Sequence, residues 1–175
     1  SESTMGLEAL LSGEQVAWRD RARAAASRIA ATIDADAEAA VFRREYVDVL
    51  GAAGLIGVGI AGAGAAADAT SYGLVCYELE AVDTSWRTFV SVQGPLAMGA
   101  ISKFGSEEQK ARLLERMATG EILGCFCLTE PDGGSDPGSM STSAELRDGQ
   151  WIITGHKRWI GLASIADVAV VWART

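Results

Sequence analysis

The spacing of the apolar residues changes at Gly120, and that change divides the chain into two kinds of structure. Upstream, Trp18, Ala22, Ala25, Ala26, Ile29 and Ile33 recur at helical intervals, with Arg19, Arg21, Arg28 and Asp34 off the stripe. Ser12 with Gln15 three residues on has the form of a capping box, and Ser106 with Gln109 repeats it before a charged helix running to about residue 119. Further helices are expected around 43–53, 72–83 and 86–103. Downstream, a short apolar run at 122–128 reads as a strand, and 140–146 and 151–154 read as two more, joined by Arg147-Asp148-Gly149-Gln150, where Asp-Gly signals a two-residue hairpin. A last strand, 167–172, is apolar almost throughout. The expected fold is therefore α+β: an N-terminal all-helical domain over 1–121, then the first part of an antiparallel β-domain over 122–175. That last strand would need cover, so the chain is expected to be a fragment of a longer protein or to be completed by a second polypeptide.

Composition removes several classes of function. With 49% hydrophobic residues in 175, the chain can bury a core. Fifteen Lys and Arg stand against 23 Asp and Glu, and a formal charge of −8 argues against a nucleic-acid partner. No run of eighteen apolar residues occurs, and Glu2, Glu8, Glu14 and Asp20 interrupt any signal-like order near the start, so a cytoplasmic location is expected. Cys76, Cys125 and Cys127 make no C-x-x-C pair and read as buried reduced thiols, with no metal implied. His156 is the only histidine, which leaves little for acid-base or nucleophilic machinery. Chemistry is more economically assigned to a bound cofactor. Gly57, Gly59 and Gly62 fit G-x-G-x-x-G, yet a helix end precedes them and no helix start follows directly, so they read as a connecting loop.

The stretch LTEPDGGSDPG, 128–138, is a shaped loop. Pro131 and Pro137 fix φ and remove two donors, while the glycines allow close approach of another molecule to the main chain. Taken alone, it fits an ordinary surface connection as well as a ligand-facing one.

Three segments, CFCLTEPDGGSDPGSM (125–140), GHKRWIG (155–161) and ADVAVVWAR (166–174), resemble the acyl-CoA dehydrogenases. YELEAVDTSWRTFVSVQ (77–93) and FGSEEQ (104–109) extend the similarity over nearly the whole chain, where it is closest to the glutaryl-CoA dehydrogenases. The resemblance implies a helical N-terminal domain, a central β-domain and a C-terminal helical bundle that is absent from this chain. It implies FAD as cofactor, an acyl-CoA substrate, electron-transferring flavoprotein as electron acceptor, and a homotetramer or dimer of dimers.

Carried over by position, the resemblance places Phe126, Leu128 and Thr129 on the flavin side, Gly134 and Ser135 by the cofactor phosphates or the substrate, and Trp159, Ile160 and Gly161 beside the isoalloxazine. From spacing alone Trp159 would be a hairpin core residue. Many members have threonine where this chain has Gly161, which removes a hydroxyl from the flavin and keeps a short-chain acyl-CoA oxidase open as an alternative. Arg87 and Ser91, four apart on one helical face, match the glutaryl-CoA dehydrogenase pair that holds a distal carboxylate. From spacing alone Arg87 would be a surface arginine beside Asp83. The implied reaction is α,β-dehydrogenation of a glutaryl-like thioester, with decarboxylation possible, by an oxidoreductase acting on CH-CH groups. The family's catalytic glutamate lies beyond residue 175. Glu130 is not that base and is expected to anchor nearby backbone N–H groups. A non-catalytic half-subunit that needs a partner chain is the remaining alternative.

Overall fold

The computed structural model describes residues 7–63 and 66–175. Residues 1–6 of the expected helical domain, and Gly64 and Ala65 of the expected glycine-rich connection, lie outside the described residues. No helix among those described is long and apolar enough to cross a membrane.

Helix α1 (Gly13–Ile29) starts at the expected capping box: Ser12 Oγ accepts from Gln15 N at 3.2 Å, and Gln15 Oε1 accepts from Ser12 N at 2.9 Å. Trp18, Ala22, Ala25, Ala26 and Ile29 are buried, and the small side chains of the three alanines let α4 (Ala69–Glu80) pack closely. Ile33 does not continue this stripe. It opens a separate helix, α2 (Ile33–Ala39), because Thr32 turns the chain to satisfy a buried carboxylate. Thr32 Oγ1 donates to Asp36 Oδ2 at 2.6 Å and shares a 2.6 Å bond with the Tyr46 hydroxyl, while Arg43 Nε donates to the same Asp36 oxygen at 2.5 Å. Helix α3 (Arg44–Ala52) follows. The Gly57, Gly59 and Gly62 segment is a connection, as expected; at Gly57 a Cβ would lie 2.6 Å from Met98 Cε.

Residues 84–104 form one helical run, expected as 86–103, but with a wider turn inside it. Helix α5 (Thr84–Ser91) passes into a π-helical segment (Val92–Met98) and then into α6 (Gly99–Phe104). Pro95 sits in the π segment, where its missing N–H leaves the α-helical ladder incomplete. Helix α7 (Glu107–Ala118) has the second capping box, between Ser106 and Gln109.

Four short strands follow: β1 (Gly124–Cys127), β2 (Ser143–Arg147), β3 (Gln150–Thr154) and β4 (Val168–Val171). The β2–β3 hairpin is antiparallel, and Asp148 and Gly149 both take the positive φ that its two-residue turn requires. The other pair departs from the antiparallel expectation: β1 runs parallel to β4, from Gly124↔Val168 to Cys127↔Val171. These strands are not neighbours in sequence. Residues 128–167 run between them, long enough to return the chain in the same direction. The helical core reaches β4 through Val168 and Val170, which pack against it, whereas Ala169 and Val171 on the other face are exposed.

Gln93, fully buried in the π segment, joins the two halves. Its Nε2 donates to the carbonyls of Met117 at 3.1 Å and Ile122 at 2.8 Å, and its Oε1 accepts from Gly124 N at 2.7 Å. Gly124 lies so close to the helices that a Cβ there would be 2.7 Å from Met117 Cε and 2.9 Å from Ala97 Cβ.

Candidate functional site

The shaped loop leaves β1 and is held from inside by Glu130. Its Oε2 accepts from Ser141 N at 2.6 Å and Ser141 Oγ at 2.7 Å, and its Oε1 accepts from Thr142 N and Lys157 Nζ, both at 2.9 Å. Hydrogen bonds from Thr142, Lys157 and Ser141 hold this carboxyl well below the usual carboxylate range. The expectation that Glu130 anchors backbone N–H groups is met at Ser141 and Thr142. Lys157 was not anticipated; besides Glu130 it reaches the Leu128 carbonyl at 2.9 Å. A lysine in GHKRW opposite an acidic loop was the available signal.

With the interior tied, the outer part of the loop presents main chain. Glu130 N donates to Gly133 O at 2.9 Å to close a tight turn, and Asp136 O accepts from Ser139 N and Oγ around a short 3-10 turn, Pro137–Ser139. Pro131, Asp132, Gly134 and Ser135 are exposed. The Thr129 methyl faces Gly134, where a Cβ would sit 3.6 Å from it.

The second expected segment, 155–161, lies against the first. Gly155 abuts Thr142 so closely that a Cβ would fall 2.3 Å from Thr142 Oγ1. Three residues later, Arg158 N donates to Thr129 O at 2.9 Å. Trp159 therefore stands next to the loop, with a φ of +61° and 78% of the residue exposed, its ring covered on one side by the Arg158 guanidinium at 4.3 Å. It is no hairpin core residue. Ile160 is half-buried, and Gly161 meets the start of the π segment, with Val92 Cγ2 at 3.8 Å from where its Cβ would be. Gly161, Leu162, Val92, Trp86 and Phe89 line part of an open, mainly apolar cleft of about 620 Å³. Phe126 packs edge-on to Trp172 at 5.8 Å, and Trp172 packs on Phe104 at 6.0 Å.

Arg87 and Ser91 share a face of α5, as expected, for Ser91 Oγ donates to the Arg87 carbonyl at 3.1 Å. Arg87 is not paired with Asp83, which instead caps α5 by accepting from Ser85 N and Trp86 N. Its Nε donates to Glu80 Oε2 at 2.7 Å; this pair holds the Glu80 carboxyl below its ordinary range and raises Arg87. Ser91 Oγ also lies 3.0 Å from the Tyr72 hydroxyl, which burial pushes up to about 12. Arg87 opens on a shallow recess of about 460 Å³ with Gly73, Cys76, Tyr77, Glu80 and Ala81. The fold thus brings Thr129, Gly134, Trp159 and Gly161 to one region and Arg87 and Ser91 to another, linked through Ser91 and Val92, consecutive residues at the end of α5. Glu80 and Tyr72 were not anticipated, because only tertiary packing brings α4 beside α5.

This arrangement can seat a flat ring on Trp159, offer main-chain groups of the loop to polar ligand atoms, and offer a guanidinium to an anion. Glu130 is not free to act as a proton acceptor there, since both of its oxygens are committed. Comparison with known proteins agrees in kind. The family described as acyl-CoA dehydrogenase, N-terminal domain, matches residues 12–121, and acyl-CoA dehydrogenase, middle domain, matches 125–175. The mitochondrial short-chain specific acyl-CoA dehydrogenase of Homo sapiens is 35% identical over 159 residues, 90% of this chain and 38% of that protein. The crystal structure of glutaryl-CoA dehydrogenase from Mycobacterium smegmatis superposes with a TM-score of 0.93 at 50% identity, over 97% of this chain and 45% of that one. A glutaryl-CoA dehydrogenase from the same organism in complex with FADH2 superposes with a TM-score of 0.91 at 43% identity, over 96% and 44%. The chain spans less than half the length of each.

Proposed function

Since this chain belongs to the acyl-CoA dehydrogenase family, we propose that it forms part of the FAD and acyl-CoA site of an oxidoreductase acting on CH-CH groups, with a glutaryl-CoA-like substrate. One observation carries this reading: the exposed Trp159 ring is held beside Thr129 by the Arg158–Thr129 hydrogen bond, in a chain 50% identical to a glutaryl-CoA dehydrogenase. The residues suit a flavin. The face of the indole away from Arg158 offers a flat apolar surface, and Gly134 leaves the loop open where a side chain would stand.

In this reading the domains divide at 121/122. Phe126, Leu128 and Thr129 orient the flavin through their main chain and the Thr129 hydroxyl, Gly134 and Ser135 lie by its phosphates or by the substrate, and Trp159, Ile160 and Gly161 pack beside the ring system. A bound FAD would supply the acceptor for hydride from the β-carbon of the thioester, in an oxidation that also removes a proton from the α-carbon. The base that takes that proton is not among the described residues. Arg87, steadied by Glu80, and Ser91 hold the far carboxylate of the substrate, which the glutaryl relatives and the recess beside Arg87 support. Electrons pass to electron-transferring flavoprotein, and the protein assembles as a homotetramer. Gly161, which has no hydroxyl to offer the flavin, favours a second reading, a short-chain acyl-CoA oxidase.

The test uses the complete polypeptide. It should purify yellow, release FAD on denaturation, and convert glutaryl-CoA faster than butyryl-CoA under anaerobic conditions with an artificial electron acceptor. A colourless protein that takes up no flavin would overturn the cofactor. Preference for butyryl-CoA would overturn the dicarboxylate, and turnover that consumes oxygen stoichiometrically would establish the oxidase.

A further inference from the structure

Cys125 and Cys127, two apart on β1, point to the same face of the strand, and their sulfurs lie 3.6 Å apart. Both are buried. The opposite face of β1 is the one that meets the helices: Gly124 lies against Met117 and Ala97, and Phe126 against Trp172. The cysteine face is turned the other way. Across the parallel pairing its neighbours are Ala169 and Val171, both exposed, so the strand beside the two buried thiols is open to solvent.

The separation selects a chemistry. Two sulfurs 3.6 Å apart bracket a single atom that makes bonds of about 2.3 Å, the length zinc makes to thiolate, at an angle of roughly 100°. A disulfide needs the sulfurs at about 2.05 Å, so closing one here would pull two positions of an extended, paired strand together. Zinc needs four ligands, and no group of three or more His, Cys, Asp and Glu stands together among the described residues. A centre that binds two sulfurs and brings its own third substituent meets both constraints.

We propose that Cys125 and Cys127 form a dithiol site that chelates a mono-substituted trivalent arsenical. The reaction balances without an oxidant. An R–As=O group condenses with two thiols, two As–S bonds form, the As=O bond is lost, and both thiol protons leave with the oxygen as water, so arsenic stays trivalent. The product is neutral and sits in the buried setting without a charge to solvate. A mono-functional alkylating reagent faces the opposite situation, since burial and the neighbouring Cys125 push the Cys127 thiol up to about 11 and leave little thiolate to attack.

The experiment adds phenylarsine oxide to the complete native polypeptide and reads intact mass. One adduct per chain is expected, gaining one phenylarsenic group and losing two hydrogens. It should survive excess glutathione and reverse with 2,3-dimercaptopropanol. Cys125→Ala and Cys127→Ala should each abolish the glutathione-resistant adduct, and Cys76→Ala should leave it in place. Circular dichroism confirms that each variant is folded. The proposal is overturned if native protein gains no such adduct, if the adduct persists in folded Cys125→Ala and Cys127→Ala, or if it is lost in Cys76→Ala.

Discussion

The side-chain oxygen of Gln93 accepts the amide proton of Gly124 at 2.7 Å, and both groups are buried. This bond, with the two that the Gln93 amide donates to Met117 and Ile122, fastens the π segment of the helical half to the first strand of the β half. It fixes where the 128–138 loop begins relative to α5.

Gln93→Leu should therefore destabilise the protein out of proportion to its size. The change keeps the volume nearly constant but strips partners from two buried carbonyls and one amide, a loss of roughly 2–5 kcal/mol. Thermal unfolding of the complete polypeptide reads it as a Tm lowered by several degrees. An unchanged Tm would show that the three backbone groups find other partners.

Arg87→Ala should separate the two substrates. If the guanidinium holds a carboxylate, kcat/KM for glutaryl-CoA falls on the order of 10²- to 10³-fold while that for butyryl-CoA hardly moves. Equal losses on both substrates would indicate damage to the fold. No loss on either would return Arg87 to a surface ion pair with Glu80.

Trp159→Gly should weaken flavin binding by about tenfold or more, because it removes the stacking face. It should not lower the melting temperature of the flavin-free protein: the ring is exposed, and glycine adopts the positive φ at this position more readily than tryptophan. Flavin retention on gel filtration and a melt of the apoprotein measure the two effects separately. A lower apoprotein Tm would mean that the Arg158–Trp159 contact matters to the fold.

Glu130→Gln tests the loop anchor through pH. The folded carboxyl is depressed below its ordinary value of 4.5, so its contribution to stability is present in full above that pH and is lost as pH falls toward the depressed value. The wild type should outlast the variant at neutral pH, and the gap in Tm should close as the solution is acidified from about pH 5 downward. A gap that stays constant across the acid range would show that Glu130 acts by packing rather than by charge.

The features legible in the sequence were those decided within a few residues. Ser12 with Gln15, Ser106 with Gln109 and Asp148-Gly149 each form their local hydrogen bonds or dihedrals with little help from elsewhere, and all three are found. Arg87 and Ser91 were legible as one face because four residues make a helical turn. Partners brought together by packing were not. Lys157 meets Glu130 across 27 positions, Gln93 meets Gly124 across 31, and Tyr72 meets Ser91 across 19. The parallel pairing of β1 with β4 was hidden for the same reason, since a strand's direction depends on the path between strands. The break before Ile33 is not legible because Thr32 turns the chain to meet Asp36 and Tyr46, which no helical periodicity registers.

Glu130 also determines where this protein can tolerate changes in length. Its carboxylate spans from the start of the loop to Ser141 and Thr142, while Lys157 returns to both Glu130 and Leu128. Insertions between Asp136 and Ser139 disturb only the exposed Pro137–Ser139 turn and leave every end of that knot in place. A single residue added between Ser139 and Thr142 would shift the amides that the carboxylate grips. Across homologues, gaps should be rare in the second interval.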